Sequence, residues 1–98
     1  MPAFGLESKT KLAGCDVRLQ QLFNEVVKTF DCKVIEGHRG QEAQHAAFLA
    51  GNSKLDWPNG NHNAVPSKAV DVYPYPIDMK DIKRFYYFAG FVMGVAAS

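Results

Sequence analysis

From Asp16 to Phe30 the apolar residues Val17, Leu19, Leu22, Phe23, Val26, Val27 and Phe30 recur with the period of an α-helix, and the positions between them are polar. Asp16 stands where a side-chain oxygen can cap the first free backbone amides. A helix with so wide an apolar face must bury it against another layer. Whatever the chain folds into has to supply that layer from the residues on either side.

The candidates are few. Cys32-Lys33-Val34-Ile35-Glu36 is short, rich in β-branched residues and closed by Gly37, so it reads as a strand. Gln41 to Ala50 reads as a second helix, stopped by Gly51-Asn52. Asn, Ser, Gly and Pro dominate the next stretch, 52–67, which reads as a loop with Trp57 as its largest apolar residue. Trp57 fits a cleft wall and a loop anchor equally well. Ala69 to Tyr73 reads as a second strand, ended by Pro74-Tyr75-Pro76 because proline cannot donate to a ladder. A long helix capped by Asp78 then runs through Ile82, Phe85, Tyr86, Phe88, Ala89, Val92, Met93 and Val95. The aromatic residues Phe85, Tyr86, Tyr87, Phe88 and Phe91 are assigned to packing, with Tyr87 turned away from the core.

The expected class is therefore α+β, helices packed on a small antiparallel sheet, in a single domain over 1–98. Two strands are too few for a self-sufficient sheet. The last residues, Phe91 to Ser98, are still mostly apolar and carry no cationic final turn. Both features suggest the front part of a domain whose later strands are missing, or a sheet and an apolar C-terminus completed by a second copy.

The basic and acidic residues number 11 and 10 and are scattered, so nothing marks a nucleic-acid groove or an anionic membrane surface. No window approaches the ~18 apolar residues of a membrane span. The first residues, Met1-Pro2-Ala3-Phe4-Gly5, show no charged leader followed by an apolar run, so no signal peptide is expected and synthesis in the cytosol is. Cys15 and Cys32 leave one disulfide open, but neither belongs to a Cys-x-x-Cys motif and both read as ordinary thiols.

The chemistry is suggested by "GNHNAVPSKAVDVYPYP", residues 60–76. It sets His62 in a turn-rich loop and, nine residues later, Asp71 inside the apolar run Ala69-Val70-Asp71-Val72-Tyr73, where burying a carboxylate is costly. Imidazole and carboxylate are ordinary zinc ligands, and a divalent cation would stabilise such an aspartate. On spacing alone, a strand-end aspartate and a solvated loop histidine make the plainer account.

The same stretch resembles the zinc peptidases of the D-alanyl-D-alanine carboxypeptidase and phage endolysin family, which share the Hedgehog/DD-peptidase fold. In that family a Ser-x-His precedes a turn and a small-residue, apolar, Asp strand, and the His and Asp are zinc ligands. "HNAVPSKAVDVYPYP" is similar to a phage-type subgroup with the longer connection. Val34-Ile35-Glu36-Gly37-His38-Arg39 resembles the family strand that ends in Gly, a variable residue and Arg, and the helix with Gln44 follows as in relatives.

The resemblance implies Zn2+ as cofactor, His62 and Asp71 as its ligands, and Arg39 and Gln44 as substrate-binding residues. It also implies a peptidoglycan peptide as substrate, reached once the protein leaves the cytosol. Gly60 replaces the family serine. The family's third ligand and catalytic base come from later strands, as an Asp or Glu, two residues and a His. By the resemblance that segment would lie beyond Ser98, so no catalytic residue is expected within 1–98. His38 and His45 as ligands, and Glu36, Glu42 and Asp56 as bases, are generic by comparison. Two rivals stand beside the peptidase: a truncated, inactive remnant, and a wall-binding protein that kept the scaffold without the chemistry.

Overall fold

A computed structural model describes residues 2–98. Helix α1, Leu6–Ala13, is followed by α2, Val17–Thr29, and by strand β1, Cys32–Glu36. Helix α3, Gln41–Leu49, and a 3-10 turn at Asn61–Asn63 lead to β2, Asp71–Pro74, and α4, Ile82–Ala97. The two strands pair antiparallel, α1 lies on β1, and α4 packs on both α2 and β2. This is an α+β arrangement, with four α-helices and one two-stranded sheet among the described residues.

The apolar face of α2 goes where its periodicity requires. Phe23, Val26 and Val27 are buried with Phe4, Leu12, Cys15, Cys32, Val34 and Phe88. Phe30 meets the edge of Phe88, ring centroids 5.1 Å apart, a geometry that adds to area burial. Asp16 caps α2 by accepting from the Arg18 amide. On α4 only Phe88 is buried, while Tyr86, Tyr87 and Met93 face outward.

Helix α1 carries little hydrophobic periodicity and escapes a reading of the sequence. Its tie to the sheet is polar: the buried Ser8 hydroxyl accepts from the Val34 amide at 3.1 Å, and Lys11 Nζ donates to the Ile35 carbonyl at 3.0 Å. These bonds cover the outer edge of β1 with side chains, which blocks further strand pairing there.

Two expectations are corrected. Asp78 does not cap α4; its carboxylate turns back to the Lys80 amide, and Asp81 caps the helix by accepting from the Arg84 amide at 3.1 Å. Strand β2 starts at Asp71 rather than Ala69. Ser67 exchanges backbone bonds with Gly14 and Asp16, and its hydroxyl donates to the Ala69 carbonyl at 2.7 Å, so this segment is tied to the α1–α2 turn instead of to β1. The reading of both cysteines as ordinary thiols stands. Cys15 and Cys32 are free and buried; burial pushes both thiols up, and with the Asp31 carboxylate nearby Cys32 reaches about 12. Such thiols are poor nucleophiles at neutral pH.

No helix among the described residues is long and apolar enough to cross a membrane.

Candidate metal centre

The ladder between the strands slips at its end. Val34 faces Val72, but Glu36 rather than Ile35 faces Asp71, so a bulge absorbs Ile35. Two carboxylates are thereby set opposite each other, an arrangement that is destabilising unless a cation intervenes. Arg39 is that cation. Its Nε and Nη2 donate to the two oxygens of Glu36 at 3.0 and 2.9 Å, and Nη2 lies 3.9 Å from Asp71 Oδ2. The bidentate pairing with Arg39, above all its hydrogen bonds, holds the Glu36 carboxyl below its ordinary range.

One guanidinium serves two carboxylates. Because Glu36 takes the fork, Asp71 keeps a negative charge without a dedicated counter-charge. Asp71 is also not the enclosed carboxylate that its apolar neighbours suggest. As the first residue of β2 it leaves 47 % of its side chain exposed, and the desolvation problem posed by the sequence is largely removed.

His62 arrives from the 3-10 turn. Three bonds zip that turn onto the segment after β1: the Arg39 amide donates to the His62 carbonyl at 2.7 Å, Asn63 Nδ2 donates to the Arg39 carbonyl at 2.9 Å, and His62 Nδ1 lies 2.7 Å from the Gly37 carbonyl. A carbonyl oxygen can only accept, so Nδ1 carries a proton and the neutral ring has its lone pair on Nε2. That atom is 3.6 Å from Asp71 Oδ2. Fixing one ring nitrogen on a backbone carbonyl is how metal-ligating histidines are commonly oriented.

The donor set fits two corners of a zinc ion. Bonds of about 2.1 Å at a tetrahedral angle place neighbouring donors about 3.4 Å apart. Among the described residues no three His, Cys, Asp or Glu side chains converge as a complete metal set. Glu36 is near, but both its oxygens are engaged by Arg39.

The structure also sorts the remaining candidates. Gln44 is fully buried, and its amide is used entirely within the protein: Oε1 accepts from Arg39 Nη1 and Asn63 Nδ2, and Nε2 donates to Ser53 Oγ and the Leu55 carbonyl. The resemblance makes Gln44 a substrate-binding residue; in the structure its oxygen contacts Arg39 and Asn63. His45 is at the surface, its Nδ1 3.0 Å from Asp56 Oδ2, and His38 and Glu42 fall outside the cluster, Glu42 fully on the surface. Ser98, the position past which the resemblance puts the base, is itself no part of the centre. It closes α4, its amide and its hydroxyl both donating to the Val95 carbonyl, at 3.2 and 2.7 Å. A Cβ at Gly60 would stand 2.9 Å from Asn63 Oδ1 and 3.2 Å from Gln44 Oε1, so a side chain there would require those amides to shift. Glu36 is the residue that sequence reasoning undervalues, because the bulge that brings it to Asp71 leaves no periodic signal.

Compared with protein-family models, curated proteins and solved structures, the chain matches none.

Proposed function

We propose that His62 and Asp71 are two ligands of the zinc centre of a peptidoglycan peptidase built on the Hedgehog/DD-peptidase architecture that the 62–76 motif resembles. The observation that carries this reading is the pair of lone-pair donors facing each other at 3.6 Å, with Gly37 keeping the imidazole proton on the far nitrogen. A metal cation between them would satisfy both at once. The charge count agrees, since Glu36 and Arg39 neutralise one another and Asp71 remains.

Zinc bound there supplies Lewis acidity toward the carbonyl of a wall-peptide amide. The protein's own residues do the holding. Gly37 fixes the ring of His62, β2 fixes Asp71, and Glu36 fixes Arg39. The N–H groups of Arg39 not spent on Glu36 and Gln44 are available to a substrate oxygen placed beside Asp71. No described residue is assigned as the remaining ligand or as the base.

One observation favours a second reading. The Arg39 fork is already closed on Glu36, so its bidentate face is not open to a substrate carboxylate. A wall-binding protein without chemistry would keep such a scaffold. Incubating the protein with purified peptidoglycan, with and without chelator, and measuring both newly released amino groups and co-sedimentation separates the two. The peptidase reading expects engagement of the wall peptide that depends on the metal: co-sedimentation that chelator and Asp71→Ala abolish, with any amine release lost in the same way. Co-sedimentation that survives chelation, with no amine release, assigns the second reading instead.

A further inference from the structure

Helix α3 is held in an unusual way. A surface helix ordinarily docks through an apolar stripe, yet Phe48 and Leu49 of α3 are exposed and its one buried side chain is Gln44. That side chain has no exposed surface, and both lone pairs of its oxygen and both amide hydrogens have partners. Its two ends point at different things. Nε2 is anchored in the chain that follows α3, at Ser53 Oγ (2.9 Å) and the Leu55 carbonyl. Oε1 faces the candidate centre, at Arg39 Nη1 (2.9 Å) and Asn63 Nδ2 (3.1 Å).

We infer that Gln44 is a positioning residue for the metal centre: its Oε1 fixes the Arg39 segment and, through Asn63, the turn that carries His62. Asn63 is the second link. Its Nδ2 reaches both Gln44 and the Arg39 carbonyl, and its Oδ1 accepts from the Gly60 amide at 2.8 Å, closing the turn around His62. Removing the Gln44 oxygen leaves one N–H of Arg39 and one of Asn63 without partners in a buried setting, and such groups rearrange toward water rather than stay orphaned. The spacing between His62 and Asp71 is then set by a side chain that touches neither metal nor substrate. Only the consequence for zinc rests on the proposed function; the positioning is a property of the metal-free protein.

The test compares Gln44→Met, which keeps the volume and removes the amide, with Ser53→Ala, which loosens only the anchored end. The signal is the His62 Nδ1 proton, followed by NMR in the metal-free protein, together with zinc affinity. Gln44→Met is expected to accelerate exchange of that proton about tenfold or more and, where the wild type binds zinc, to weaken zinc binding about tenfold. Ser53→Ala is expected to leave both within about threefold while lowering thermal stability, which separates positioning from general loosening. Should the Met variant not fold, Gln44→Glu retains the oxygen that Arg39 and Asn63 use and is expected to keep the His62 proton protected. Unchanged exchange in Gln44→Met, or equal losses in Ser53→Ala or Gln44→Glu, overturns the inference. Absent zinc binding in the wild type, with the NMR pattern intact, counts against the metal centre and leaves the positioning role standing.

Discussion

At the scale of single residues, one cation between two carboxylates organises the site. Arg39 is 11 % exposed and spends its fork on Glu36, which depresses the Glu36 carboxyl and leaves Asp71 to seek another positive partner. Because the folded-state value of Glu36 lies below its unfolded one, its contribution to stability is complete above the ordinary carboxylate range. It is lost as the pH falls through the depressed value. The carboxylate is 36 % exposed, so solvent screens the effect and the stabilisation is modest. Glu36→Gln should therefore reduce the difference in urea midpoint between neutral pH and about pH 3 relative to the wild type. An equal or larger difference in the variant would mean that other carboxylates dominate acid unfolding. His62, Asp71 and Arg39 are singled out in the sequence by the resemblance of residues 34–39 and 62–76 to a peptidase motif rather than by spacing, and the structure brings the three side chains close together. Glu36 is not, since its place opposite Asp71 follows from a bulge that depends on how the two strands meet.

At the scale of elements, the sequence reveals those marked by hydrophobic pattern or by clear stop signals and passes over those with neither, whatever bonds hold them. α2, β1 and α3 stand where hydrophobic pattern and stop signals put them. α1 does not announce itself, because Leu12 is its one residue in the apolar core and Ser8 and Lys11 add polar bonds to β1, and the start of β2 is moved by Ser67, whose hydroxyl competes for the Ala69 carbonyl. The tightest joint between elements is Gly37. A Cβ there would stand 2.5 Å from the Lys11 carbonyl oxygen at the end of α1 and 3.0 Å from Cys15 Sγ, and the Gly37 carbonyl is the one that orients His62. Backbone on one side cannot yield as a side chain would. Gly37→Ala is expected to cost about 1–3 kcal/mol in denaturant unfolding and to weaken zinc binding along with stability. A variant as stable as the wild type would show that α1 can move away freely and that the close approach has no energetic weight.

At the scale of the whole molecule, two kinds of cohesion meet at the candidate centre. On one side α1, α2, β1 and α4 share a continuous apolar core around Val26 and Val34. On the other, α3 and the 52–67 loop are held by an amide network around Gln44 and Asn63. Asp71 belongs to the first part and His62 to the second, so a metal bridging them would tie the polar-held part to the core and stabilise the fold by mass action. The central claim is that this pair binds zinc, and calorimetric titration of the protein with zinc, beside His62→Ala and Asp71→Ala, tests it most directly. The account predicts saturable one-to-one binding that each substitution weakens by about tenfold or more. Binding that survives both substitutions, or no binding by the wild type, would contradict it.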